Sequence, residues 1–576
     1  MGRGAPRQAA FPGGGLIRPA HVCATIRISR RALGLREPSE PMTPTLSFGD
    51  VRERLQAREE IALLDVREEG PFSQDHPLWA ANLPLSRLEL DARRRIPRLD
   101  TLIVLYGEHD GVDLAPLASK RLCALGYTDV HLLEGGLDGW RATGGELFQD
   151  VNVPSKAFGE WVEHLRHTPS RSAQEVQALI DAHADLVVLD VRRYDEYQTM
   201  SIPTAISVPG AELVLRVREL APDPRTAVIV NCAGRTRSLI GTQSLVNAGI
   251  PNPVAALRNG TIGWTLAGQK LDHGASRRAP APTPANLAQA QADARAVAAR
   301  AGVRTIAFER LSTIETPGRT VYRFDVRSRD ECDAGHLPGF ASAPGGQLVQ
   351  ETDHHAPVRG ARIVLADDDG VRAPMTASWL AQMGWEVYVL EPAGPLSSKK
   401  AVAPTMPLVA APAVAEASIA QLSRWLQEEP AAVAVIDVST SAGYVKGHIP
   451  GAWFAIRAQL AQALDKIPAA TRYVLTGDSE LLAAFAARDL QALLDDRRGG
   501  AQAAVLAGGN TAWFSAGLPV ESQEQRYATP PTDRYRRPYE GTNAATQAMQ
   551  DYLDWEFGLV AQLERDGTHG FNVLGA

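Results

Sequence analysis

Residues 186–192 read LVVLDVR, four apolar residues closed by Asp-Val-Arg. The run is too short and too evenly apolar for the face of an amphipathic helix, and fits a strand buried on both sides of a parallel sheet. The phrase recurs as IALLDVR at 61–67, VYRFDVR at 321–327 and AVAVIDVS at 432–439. About ten residues after each comes a turn, clearest in GHLPGFASAP (335–344) and GHIPGAWFAI (447–456), looser in DHPLWAANLP (75–84) and MSIPTAISVP (200–209).

A second apolar strand follows in every copy: TLIVLY from 101, TAVIV from 226, ARIVLA from 361 and RYVLT from 472. An amphipathic helix, a third strand and a Gly/Trp element complete the unit. The endings VHLLEGGLDGW (130–140), VAALRNGTIGW (254–264) and AAVLAGGNTAW (503–513) are clear, whereas the third copy, VYVLEPAG (387–394), lacks its Trp. Short apolar strands alternating with helices predict an α/β fold: four tandem domains, each a small parallel sheet covered by helices on both faces. The expected domains are 42–150, 158–272, 302–396 and 416–524. A Pro/Ala-rich hinge and helix at 273–301 and an extended linker at 397–415 separate the later ones. A tail with a final helix fills 525–576, its apolar spacing suited to packing on a neighbouring domain or a second subunit. Residues 1–41, rich in Arg, Gly and Ala and without a secretory apolar core, read as a disordered or mis-assigned extension.

The bulk numbers fit that plan. With 576 residues, 45% hydrophobic and 22% charged, the chain is expected to hold several globular domains. A formal net charge of -7 gives no general pull toward nucleic acid or anionic membrane, and no apolar run reaches the length of a spanning helix. Four scattered cysteines, Cys23, Cys123, Cys232 and Cys332, form neither a disulfide framework nor a zinc motif, and a reducing cytoplasm is the expected setting.

One cysteine stands apart. NCAGRTRS (231–238) follows the second strand of the second unit and leads into the helical pattern LIGTQSLVNAGI. In open parallel sheets, ligands bind beyond the carboxyl ends of the strands, where Cys232 falls. Loop amides and a helix N-terminus converge there, Arg235 and Arg237 add positive charge, and Gly234 permits a tight turn; all favour a thiolate nucleophile for an anionic substrate. Aligning the second strands puts Asp367 at this position in the third unit, Gly107 or Glu108 in the first and Gly477 in the fourth, none of which can carry sulfur. Cys123 reads as helix core, and Cys332 lies among acids that disfavour a thiolate.

The ordered set of strand-Asp-Val-Arg, Gly-His-Ile-Pro-Gly turn, strand, cysteine loop, helix and Gly/Trp ending resembles the rhodanese family over most of residues 45–525. The six-residue loop Cys232–Ala233–Gly234–Arg235–Thr236–Arg237 is similar to that of the sulfur-transferring members, one residue shorter than the loop of cysteine phosphatases. Its Arg235 stands where Gly is commoner. The resemblance implies a sulfurtransferase without cofactor or metal, moving sulfur from a small anionic donor such as thiosulfate to cyanide or a thiol through a Cys232 persulfide. Residues 233–238, ending at Ser238, would bind substrate, with both arginines on the donor's sulfonate. Asp190 would fix backbone groups near the loop and Arg192 would support it from an ion pair. His336 and His448 read as turn-stabilising, and Trp140, Trp264 and Trp513 as sheet-covering core. Competing readings are a protein-to-protein sulfur relay or scaffold, with a protein acceptor, and a cysteine phosphatase or arsenate reductase.

Overall fold

Each of the four apolar phrases forms a central strand: Ala62–Asp65, Leu186–Asp190, Val321–Asp325 and Val433–Asp437. Each pairs in parallel with the second apolar strand of its unit, Ile103–Tyr106, Ala227–Asn231, Arg362–Ala366 and Arg472–Thr476. The computed structural model describes residues 43–109, 111–391, 409–497 and 499–576; the expectations placed on 1–41 and on most of 397–415 lie outside them. Four parallel five-stranded sheets result, with one strand order throughout: first, fifth, fourth, second, third along each domain. The third domain keeps that order although its sequence lacks the Trp ending.

The strands sit between helices as their two-sided apolar character requires, and the tryptophans cap the cores. Trp140, Trp264 and Trp513 are buried, and each indole N–H donates to the carbonyl six residues on, of Glu146, Lys270 and Pro519. His336 and His448 turn their Nδ1 atoms onto the carbonyls of Cys332 and Tyr444, holding the turns.

In the second domain the sheet runs β3-β2-β4-β5-β1, with β1 Ser170–Arg171, β2 Leu186–Asp190, β3 Ile206–Ser207, β4 Ala227–Asn231 and β5 Val254–Leu257. Four helices frame its carboxyl end: α1 (Val153–Arg166), α2 (Thr236–Asn247), α3 (Arg372–Gln382) of the third domain and α4 (Thr546–Asp566) of the tail.

The connector after the second domain and the tail both pack into the domains. The helix of the 273–301 stretch, Pro284–Arg300, buries Ala290, Ala294 and Val297 in one core with Leu213 of the second domain and Met375 of α3. The tail helix α4 lies along α1, seats Leu559 and Leu563 in the first domain's core beside Trp140, and lays Tyr552 and Leu553 against Ala233 of the cysteine loop. The first and third domains share a further core through Leu64, Leu105, Leu365 and Trp379. The fourth docks on the first by the buried Arg457–Glu89 fork, at 2.7 and 2.8 Å.

Cys123 corrects the sequence reading. Its helix, Ala115–Ala124, buries Ala118, Ser119 and Leu122, and the next position along, Cys123, turns outward and is exposed. Cys332 is buried. Among the described residues no helix is long and apolar enough to cross a membrane, and no cluster of side chains is arranged to hold a metal ion.

Candidate active site around Cys232

Strand β4 ends at Asn231, whose side-chain amide donates to Asp190 Oδ2 at 3.0 Å. Asp190 also accepts from the Arg192 backbone N–H and from its guanidinium Nε and Nη2, at 2.9 and 2.7 Å, and Arg192 Nη2 reaches the carbonyl of Met200. This buried pair ties the exit of β2 to the turn after it, and the same Asp–Arg pair stands at Asp65–Arg67 and Asp325–Arg327.

Cys232 is the next residue, 1% exposed. Its thiol lies 3.4 Å from the Ser238 hydroxyl, which donates to the carbonyl of Arg235. The loop is clamped from below by the Gly/Trp element: Thr261 N–H donates to the Cys232 carbonyl at 2.9 Å and Ile262 N–H to that of Ala233 at 3.0 Å. Gly260 makes the approach possible; it has φ +55°, and a Cβ there would stand 2.4 Å from the Cys232 oxygen. An element read as sheet cover therefore also positions the cysteine loop.

The electrostatics differ from the expected positive cradle. Burial pushes the Cys232 thiol up, and Glu556 pushes it further, against the opposing pull of the Arg237 charge and Ser238. The arginines are already matched by carboxylates from other elements. Arg235 forks onto Glu160 of α1 at 2.8 Å twice, bonds Glu163 as well, and stacks on Phe557 of α4. Arg237 forks onto Glu196, at 2.9 Å twice, which holds that carboxyl down at about 2. Arg235 thus ties the loop to α1 through Glu160 and Glu163.

The cavity at Cys232 offers about 20 Å³ of water-accessible space, room for one water. Lys156 of α1, Gln350 of the third domain, and Tyr539, Tyr552 and Glu556 of the tail close it. Behind Arg237, Gln350 and Tyr539 opens a polar vestibule of about 300 Å³, lined also by Arg192, Arg193, Glu196 and Arg537. Of the lining groups beyond Arg192 and Arg237, only Glu556 has a signal in the sequence: it falls on the buried stripe Tyr552, Leu553, Glu556, Leu559, Leu563 of α4, where a carboxylate is out of place.

The other strand ends give Gly107, Asp367 and Gly477 at the cysteine position, each following the strand residue paired with the Asp of the Asp-Val phrase. In the third domain Arg372 forks onto Glu331 as Arg237 does onto Glu196.

The rhodanese-like domain family matches residues 47–143, 172–267 and 418–516, and the chain belongs to it. The third domain lies outside these matches and is assigned by its sheet. Among solved structures, the chain is similar to the crystal structure of a thiosulfate sulfurtransferase from Pseudomonas aeruginosa: 60% identical, covering 92% of this chain and 100% of that one, with a TM-score of 0.88. It is also 33% identical over 91 residues, 16% of its length, to the HTH-type transcriptional regulator Rv0324 of Mycobacterium tuberculosis, and covers 39% of that protein.

Proposed function

We propose that the chain is a rhodanese-type sulfurtransferase with one working site, at Cys232. The observation that carries this reading is the placement of a single cysteine at the end of a central parallel strand, in a six-residue loop, where the other three domains have Gly or Asp. The 60% likeness to a protein described as a thiosulfate sulfurtransferase supports it.

In the proposed reaction the Cys232 thiolate attacks the outer sulfur of thiosulfate. The S–S bond of the donor breaks, sulfite leaves with the electron pair, and the terminal persulfide sulfur carries the negative charge. Cyanide or an ionised thiol then takes that sulfur, and Cys232 is left as thiolate. Amides at the start of α2 hold the charged sulfur, since the first N–H groups of a helix have no partner within it. The donor enters through the vestibule, past Gln350 and Tyr539. Burial of Cys232 favours a small molecule over a protein thiol as the group that reaches it.

Turnover of thiosulfate with cyanide, compared between wild type and Cys232→Ser, tests the reading. Turnover should fall to background in the variant, and mass spectrometry should find one added sulfur on the Cys232 peptide alone. Unchanged turnover, or sulfur on another cysteine, overturns it.

A further inference from the structure

Glu556 is 1% exposed, and one of its two oxygens is committed. Oε1 accepts from the Tyr552 hydroxyl at 2.9 Å and lies 3.4 Å from Thr236 Oγ1. Oε2 is buried without a hydrogen-bond partner and lies over the cysteine loop: a Cβ added to Gly234 would stand 3.2 Å from it. Leaving a carboxylate oxygen in that condition is costly unless the group has another use. The other charges around it are bound elsewhere. Lys156 of α1 bonds Asp150 at 2.7 Å, and Glu160 holds Arg235. Tyr539 of the tail closes the same cavity, and Arg237 in its wall is forked onto Glu196, which leaves Cys232 as the group in that wall with a proton to exchange.

We propose that Glu556, carried onto the loop by α4, is the proton carrier of the Cys232 site: it takes the thiol proton as the nucleophile forms and returns it when the acceptor has removed the sulfur. The proposal rests on the sulfurtransferase reading. In the first step a thiol and a carboxylate become a thiolate and a carboxylic acid, so the buried cavity keeps its net charge. Thiolate attack on the donor's outer sulfur then breaks the donor S–S bond and expels sulfite with the electron pair. The persulfide anion forms beside a neutral Glu556. Attack by an ionised acceptor on the terminal sulfur regenerates the thiolate, which recovers its proton from Glu556. Burial and the neighbouring Glu160 hold the Glu556 carboxyl up at about 8, against Lys156, Tyr552 and Arg235, while burial raises the thiol. A carboxyl raised in this way holds a proton beside the loop far better than an ordinary carboxylate would.

The test is the rate of Cys232 persulfide formation from thiosulfate, in single turnovers of the full-length chain across pH, for wild type, Glu556→Gln and Glu556→Asp. Glu556→Gln should lose about 10²-fold near pH 8, where the wild-type carboxyl ionises, and recover as the thiol ionises unaided at higher pH. Glu556→Asp, with its shorter stem, should lose less and keep the wild-type pH dependence. A Glu556→Gln protein with wild-type rate and profile overturns the proposal. If that variant does not fold, the Asp variant decides: an unchanged rate with a displaced pH profile overturns the proposal equally. A wild type that forms no Cys232 persulfide removes the sulfurtransferase reading and the proton carrier together, whereas sulfur uptake unaffected by Glu556→Gln removes only the latter.

Discussion

Asp367 stands in the third domain where Cys232 stands in the second. Each follows the strand residue paired with the Asp of the Asp-Val phrase, Ala366 with Asp325 and Asn231 with Asp190. Three backbone N–H groups converge on the Asp367 carboxyl: Gly370 and Val371 at 3.1 Å and Ala373 at 2.7 Å. The corresponding amides of the second domain belong to Arg235, Thr236 and Ser238, so the third domain displays, filled by its own side chain, the nest in which a charged Cys232 sulfur would sit. Val371 N–H also donates to Asp369 Oδ1 at 2.7 Å, so Asp367→Ala should leave the Gly370 and Ala373 donors unmatched and cost about 2 kcal/mol, with Cys232 sulfur uptake retained. Urea unfolding and persulfide mass spectrometry check the two halves; a stable variant that loses sulfur uptake contradicts both.

Cysteine reactivity should follow exposure. Cys123 is exposed, whereas Cys232 and Cys332 are buried, with burial pushing both thiols up. Iodoacetamide added to the native protein should therefore label Cys123 first, Cys232 more slowly through the vestibule, and Cys332 only on unfolding. Peptide mapping over time measures the order, and early labelling of Cys232 would show an open site.

The contrast between these cysteines marks what the sequence makes legible. The strands, turns and four-fold repeat are written in local patterns, and the position of Cys232 follows from them. Cys123 was misread because helical phase is fine-grained: Leu122 is buried, and one residue later the side chain has turned about 100° toward solvent. The charge balance of the loop was beyond reach for a different reason. Arg235 and Arg237 are visible in NCAGRTRS, but Glu160, Glu196 and Glu556 come from three other elements, and a sequence lists charges without pairing them. Glu556 on an apolar stripe was the one readable hint.

Breaking the Arg237–Glu196 fork should destabilise the second domain more than removing the pair. Arg237→Ala leaves Glu196 with Arg193 at 3.4 Å but without its two-bond fork, a loss of about 2 kcal/mol. Glu196→Gln in the same chain should recover part of it. The urea midpoint of the second domain's transition, across both single variants and the double, reads the coupling. Strict additivity of the two losses would mean that the fork is electrostatically idle.

Gly260→Ala tests the clamp beneath the loop. An alanine would have to hold φ near +55° and would drive its Cβ into the Cys232 and Gly234 carbonyls, at 2.4 and 2.7 Å. Left-handed strain and overpacking together should cost about 2–4 kcal/mol. Because the contact is to the nucleophile's own backbone, sulfur transfer should drop by about tenfold or more even under conditions where the variant is folded. Gly249→Ala, also at positive φ but with nothing near its Cβ, supplies the control for strain alone. Equal activity loss in the two variants would deny the clamp.

The pH dependence of stability gives an independent reading of Glu556. Its carboxyl is raised in the folded chain to about 8, well above the ordinary carboxylate range. A group raised in this way stabilises the folded state fully when both states hold the proton. That contribution is lost as pH climbs from the unfolded value, near 4, to the folded one. Glutamine cannot ionise and carries no such loss. The stability of Glu556→Gln relative to wild type should therefore rise between about pH 5 and about pH 8 and level off above. Lys156, Glu160, Cys232, Arg235, Arg237, Tyr539 and Tyr552 face the site in both proteins, so their own titrations largely cancel in the difference. Thermal midpoints of the two proteins across this range measure it. Curves that run parallel would mean Glu556 is already charged at low pH in the folded chain, solvated or paired in a way that its buried Oε2 does not allow.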